Sequence, residues 1–226
     1  HARPGHDMGF CLFNNVALAA LYALDEGGLE RVLIVDWDVH HGNGTQEAFY
    51  ADGRVLYFST HLFPFYPGTG AVQEVGSGPG AGCMVNVPLP AWSGDAAYGR
   101  AMDEVLRPAA ERFRPQLVLV SAGYDPHWAD PLASMAMSVR GFARMAAVVR
   151  DIARAHCPGR LALTLEGGYD PAALAHSLLA TWRVWEGAEP EQVDDPLGPA
   201  RRELPADSPG LEQILGAVKA RHGLPA

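Results

Sequence analysis

Five short apolar runs punctuate the chain, and four of them lead directly into residues that carry chemistry. The runs are 31–37 (RVLIVDW), 55–59 (VLYFS), 84–88 (MVNVP), 116–121 (QLVLVS) and 161–165 (LALTL). Three are almost continuous in Val, Leu and Ile, which suits strands buried on both faces of a parallel sheet. Helical stretches separate them: 14–26, ending at Gly27-Gly28, then 94–113, 138–156 and 171–187. Ser138 suits an N-cap, Pro171 suits the first helical position after Asp170, and Pro108 should kink or split its helix. This alternation predicts a doubly wound α/β sheet. The polar run-outs are DWDVHHGNG (36–44), STH (59–61), SAGYD (121–125) and LEGGYD (165–170). In open α/β sheets the ligand crevice lies beyond the carboxyl ends of the strands, so these run-outs predict a site there.

Composition narrows the classes. The 226 residues fit one α/β domain or slightly more, and 48% are apolar, enough for a core. A net charge of −9 argues against general nucleic-acid binding, and no apolar run approaches the roughly 20 residues that span a bilayer. Three scattered cysteines, Cys11, Cys83 and Cys157, suit a reducing, cytoplasmic location, and they read as small buried apolar residues. Residues 60–82 form a Gly/Pro-rich stretch carrying Phe63, Phe65 and Tyr66, long enough to expect a functional loop. Residues 188–209 read as a linker or surface wrap, and 211–221 as a last amphipathic helix. The chain opens at His1 without Met and reads as a piece of a longer protein.

Asp36, Asp38 and His40 alternate, so on an extended strand they share a face. Two carboxylates and an imidazole crowded there would repel or bury at a cost, a conflict that a divalent cation resolves. Asp125, at another strand end, adds a third acid. Asp38, His40 and Asp125 supply two oxygens and a nitrogen, and three protein ligands with one open position is the catalytic zinc pattern. A two-metal site would need more carboxylates near Asp125, where only Asp130 stands, in a turn context before Pro131. Tyr169 follows Gly167-Gly168, glycines that let backbone approach a ligand, and its phenol could donate to an oxyanion. Phe10 and Tyr66 could line an apolar channel.

Five motifs in order, HA-x6-GFCLFNN (1–15), DWDVHHGNGTQ (36–46), FYPGTG (65–70), SAGYDPHWADPL (121–132) and LEGGYD, resemble the histone deacetylase family, its bacterial members and the acetylpolyamine amidohydrolases included. The resemblance implies an arginase/deacetylase-like three-layer α/β fold with a mainly parallel sheet, lacking its N-terminal strands. Residues 1–187 would be the C-terminal portion of the catalytic domain and 188–226 an extension. It implies one zinc on Asp38, His40 and Asp125, with Tyr169 polarising the acyl carbonyl. Phe10 and Tyr66 match the walls of an acyl-lysine channel, with Leu132, Gly167 and Gly168 beside it. Asp36, with the backbone around Asp38, His40, Ser59 and Thr60, matches a monovalent-cation site, usually potassium; Phe49, Asp52 and Val55 match a second. The family's tandem histidine is represented here by His1, its second member, which implies a general base and acid oriented by Asn43.

These parts imply hydrolysis of acetyl-lysine or a small acetylated amine, releasing acetate. Leu132, where polyamine specialists can carry an acidic gatekeeper, favours acyl-lysine peptides over polyamines. With the family's upstream strands absent, the piece itself is expected to bind zinc weakly and turn over slowly. Three alternatives stay open: an acetylpolyamine amidohydrolase, a two-metal ureohydrolase of the same fold, and a non-catalytic acyl-lysine or partner-binding domain. No nucleic-acid or membrane partner is expected; a homo-oligomer is compatible.

Overall fold

The computed structural model describes residues 1–225. Five strands make one sheet: β1 (Val32–Asp36), β2 (Val55–Leu62), β3 (Met84–Leu89), β4 (Leu117–Ala122) and β5 (Leu161–Leu165). Their order is β3-β2-β1-β4-β5, and every adjacent pair is parallel. The chain steps outward from β1 through β2 to β3, then crosses back to lay β4 on the other side of β1. That reversal puts the switch point between the carboxyl ends of β1 and β4.

Helices cover both faces, as the apolar runs require. On one face α1 (Asn15–Asp25) and α2 (Asn43–Phe49) pack Val16, Ala20 and Phe49 against Val32, Ile34 and Tyr57. On the other, α3 (Asp95–Ala101), α4 (Arg107–Phe113), α5 (Val139–His156) and α7 (Pro209–His222) bury Tyr98, Ala109, Phe142 and Leu215 against Leu33, Val35, Phe58 and Val120. Helix α6 (Pro171–Trp185) packs Ala180 and Val184 on Ala143 and Ala146 of α5. The last helix therefore belongs to the main core through Leu211, Leu215 and Val218.

The predicted caps form. The Ser138 hydroxyl accepts from Gly141 N at 3.1 Å, and the Asp170 carboxylate accepts from Ala173 N at 2.8 Å, each satisfying a donor that the helix cannot. The helix expected over 94–113 is split: Met102–Leu106 make a π turn between α3 and α4. Pro108 has no N–H to offer the Glu104 carbonyl, so the ladder shifts register there. Helix α2 was not anticipated.

One row of paired residues crosses the whole sheet: Asn86, Ser59, Asp36, Ser121 and Thr164 stand opposite one another from β3 to β5. Below this row β1 to β4 are almost wholly apolar; above it lie the run-outs. Strand β5 lies at the sheet edge and is only partly covered, with Ala162 and Leu165 exposed. Among the described residues no helix is long and apolar enough to cross a membrane.

Candidate active site

The run-outs of β1, β4 and β5 meet at the switch point. Asp38 and His40 follow β1, and Asp125 follows β4. His40 Nδ1 lies 3.2 Å from Asp38 Oδ1 and 3.1 Å from Asp125 Oδ2. Both carboxylates are buried and each is fixed by a backbone donor: Val39 N gives to Asp125 Oδ1 at 2.9 Å, and Gly167 N gives to Asp38 Oδ2 at 2.8 Å. The second Asp125 oxygen, Oδ2, is wholly buried and meets only His40 Nδ1, with no other donor beside it. A buried carboxylate oxygen that no backbone or neutral donor answers is costly unless a cation, a charged imidazole or a metal, does so.

The charges register the same conflict. Burial acts to lower the His40 pKa, but the hydrogen bonds and charges of Asp125 and Asp38 outweigh it and raise it to about 10. Burial, then the neighbouring Asp38 charge, pushes Asp125 up to about 7. Protons thus occupy a place suited to a divalent metal, and two carboxylates with an imidazole nitrogen are a donor set that zinc accepts. His1, Asp38 and His40 also bring ligand atoms within 4.8 Å of one another. Between His1 and Asp125 as third member, Asp125 is the better ligand, because its oxygen is buried and faces only the other cluster residue His40. The His1 Nδ1 instead pairs with Asn43 Oδ1 at 2.9 Å.

A cleft of about 560 Å³ opens over this cluster, walled by His1, Phe10, Asp38, His40, Gly167 and Tyr169 among others. The Phe10 ring is edge-on to Tyr169 at 6.4 Å. The Tyr66 ring is edge-on to His1 at 5.4 Å, and Phe65 stacks on His40 at the same separation. Burial, with the charges of Asp125, Asp38 and Asp130, pushes the Tyr169 phenol up to about 12. The Tyr169 backbone N donates to Asp130 Oδ2 at 2.7 Å, while Asp130 Oδ1 accepts from Leu132 N at 2.9 Å. Asp130 is therefore a turn residue, as its context before Pro131 suggested, and also a brace for Tyr169. Leu132 is half exposed beside it.

Beneath the cleft Asp36 is buried, with burial and the Asp38 charge pushing its pKa well up. It accepts from the Tyr57 hydroxyl at 2.8 Å and faces Ser59 across β1 and β2, with Thr60 next along the strand. Phe49, Asp52 and Val55 sit apart in the turn from α2 into β2, where Asp52 N donates to Phe49 O and Val55 N to Asp52 O. Cys11 lines the cleft and is half buried, Cys83 is half buried, and only Cys157 is fully buried; all three are free.

Sequence reasoning passed over two groups. Glu166, on the cleft wall, accepts from the Ser121 hydroxyl at 2.9 Å, and its pKa is raised by burial. His41 and His61 are buried behind the site with rings 4.8 Å apart. The doubled histidine at 40–41 and the STH run-out were their only signals.

Residues 1–185 match the family profile described as "Histone deacetylase domain". The chain is 49% identical over 199 residues to "Histone deacetylase 10, chloroplastic" of Oryza sativa subsp. japonica, covering 87% of this chain and 45% of that protein. It is 44% identical over 200 residues to the "Histone deacetylase-like amidohydrolase" of Pseudomonas aeruginosa, covering 87% and 52%. A crystal structure of the HDA15 HD domain superposes with a TM-score of 0.82 at 38% identity, over 98% of this chain and 59% of that one. The chain spans about half the length of the curated relatives it matches.

Proposed function

The chain belongs to the histone deacetylase family, and on that premise we propose that it carries the metal-binding and acid–base residues of a zinc-dependent deacetylase. The substrate would be acetyl-lysine or a small acetylated amine, and the products acetate and the free amine. The observation that carries the reading is the buried Asp125 Oδ2, with no donor but His40 Nδ1, beside Asp38 and under a cleft that also holds His1 and Tyr169.

Asp38, His40 and Asp125 would hold the ion. Zinc, when bound, supplies Lewis acidity that polarises a carbonyl and lowers the pKa of water to about 7. The rest is the work of this chain. His1 donates its Nδ1–H to Asn43 Oδ1, which leaves Nε2 free to take a proton from attacking water. The same nitrogen then returns the proton to the leaving amine. Tyr169, with a phenol titrating near 12, stays protonated and donates to the carbonyl oxygen as negative charge develops on it. Phe10 beside Tyr169 and Tyr66 beside His1 flank the reacting centre as apolar walls for a lysine stem, and the Gly167-Gly168 backbone lines the floor.

Asp36, with the backbone of Asp38, His40, Ser59 and Thr60, would hold a potassium ion that keeps the Asp36 carboxylate ionised. Phe49, Asp52 and Val55 would hold a second. The neutral Leu132 favours acyl-lysine peptides over acetylpolyamines. Free cysteines fit a reducing, cytoplasmic compartment.

The test is acetate release from an acetyl-lysine peptide by zinc-loaded protein, beside Tyr169→Phe. Losing one oxyanion donor should lower kcat about 10²–10³-fold with peptide binding retained. Wild-type protein that binds zinc and peptide yet releases no acetate would overturn the enzyme reading in favour of a binding domain.

A further inference from the structure

The two buried histidines behind the site do no chemistry in the proposed reaction, yet both grip the same short piece of loop. His41 Nδ1 pairs with the Thr69 hydroxyl at 2.7 Å, and His61 Nε2 pairs with the Gly70 carbonyl at 2.9 Å. On its other side His61 pairs with Ser59 Oγ at 2.9 Å. Glu74 accepts from Gly70 N at 3.0 Å and from Ala71 N at 3.1 Å, and Gln46 of α2 donates to that carboxylate at 2.6 Å. Asn86 of β3 closes the ring, donating to Gln46 Oε1 at 2.7 Å and to the Glu74 carbonyl at 3.0 Å. Gly70 has φ 92°, and a Cβ there would land on both imidazoles, so the backbone is pressed flat against them.

Three residues before this grip the same loop carries Phe65 and Tyr66. Phe65 stacks on His40, and Tyr66 stands edge-on to His40 and His1. Thr69 and Gly70 do not line the cleft over Asp38 and His40, and Phe65 and Tyr66 border it through their rings on His40 and His1. Thr69 and Gly70 reach the reacting centre through those two rings and through His41, the neighbour of the proposed ligand His40.

We infer that Thr69 and Gly70, clamped by His41 and His61, are positioning residues that set the Phe65–Tyr66 wall and so govern how tightly an acyl-lysine chain is held, not how water is activated. This rests on the deacetylase reading above. The His41–Thr69 bond joins the residue after a proposed zinc ligand to the loop that carries the aromatic rings on that ligand.

The test is Thr69→Val, which keeps the shape and removes the hydroxyl, with Thr69→Ser as the rescue and Gly70→Ala as an independent way to displace the same backbone. In zinc-loaded protein, KM for an acetyl-lysine peptide should rise about tenfold in T69V, the equivalent of one lost hydrogen bond, while kcat stays within about twofold. T69S should restore KM. A second readout needs no turnover: chymotrypsin should cut the Phe65–Tyr66 bond faster in T69V and G70A than in wild type, with cleavage after exposed Phe10 and Phe13 as internal reference. Wild-type turnover with KM and cleavage unchanged in T69V would overturn the anchor alone, as would a fall in kcat at constant KM. Absence of wild-type turnover together with a loosened loop in T69V would overturn the deacetylase reading and leave the anchor standing.

Discussion

Replacing Asp125 with Asn tests the electrostatics of the cluster most directly, because the perturbation is isosteric and its effect falls on a neighbour. In the metal-free protein His40 sits between two carboxylates, and its pKa is raised to about 10 against the pull of burial. The hydrogen bond with Asp125 is the largest upward influence, and the Asp125 charge adds to it. Removing that charge leaves Asp38 alone to oppose burial, so His40 should fall below its wild-type value of about 10. An NMR titration of the imidazole in chelator-treated wild type and D125N reads this shift. Zinc must displace whatever protons the ligands hold. In wild type, affinity should therefore rise about tenfold per pH unit between pH 7 and 10, where only His40 is protonated. Below pH 7, where Asp125 near 7 must also lose its proton, it should rise about a hundredfold per unit. Competition with a chromogenic chelator across pH 5.5–9 measures the slope, and in D125N the hundredfold dependence below pH 7 should give way to at most tenfold per unit. A wild-type His40 that titrates at 6–7, or a D125N titration superimposable on wild type, would refute the account of the cluster as two carboxylates clamping a cationic imidazole.

Two further outcomes follow from the same geometry. Gly167→Ala would drive a Cβ onto the carboxylates of Asp125 and Asp38, so it should abolish zinc uptake, read by elemental analysis, while leaving the far-ultraviolet circular dichroism spectrum intact; uptake of one zinc per chain by G167A would contradict the contact. The metal-free protein should also lose thermal stability as pH rises from 7 to 10: the folded His40 pKa lies above its unfolded value of about 6.5, so its stabilisation is complete below pH 6.5 and is lost on approach to 10. A melting temperature that is flat or rising across that window would show that His40 does not hold its proton in the fold.

What could be read from the residues differed by kind. The strands were legible because their runs are continuous and apolar, and Asp38, His40, Asp125 and Tyr169 because each stands just past such a run. Strand β2 extends beyond the expected end through Thr60, His61 and Leu62, where the buried His61 bonds Ser59 and, across the loop, the Gly70 carbonyl, a partner that no local pattern discloses. Helix α2 was hidden for a related reason. It begins at Asn43 after a Gly42 cap that makes no side-chain bond, includes Gly44, and is held by burial of Thr45, Gln46 and Phe49 rather than by propensity. The His41–Thr69 and Gln46–Glu74 contacts each join residues 28 positions apart, so the clamp on the loop exists only in three dimensions.

The row Asn86–Ser59–Asp36–Ser121–Thr164 works as a datum line for the molecule. Because strand side chains alternate, a one-residue insertion or deletion before it in β1, β2 or β4 would exchange the residues packed in the two core layers and carry the site residues to the opposite face. The same change beyond the line alters only the length of a loop. Length variation among related chains should therefore gather on the carboxyl side of this line and in the helix connections, leaving the strands below it fixed in count. New specificities would then arise by lengthening or reshaping the run-outs while Asp38, His40 and Asp125, the proposed metal ligands, stay at the same height above the core.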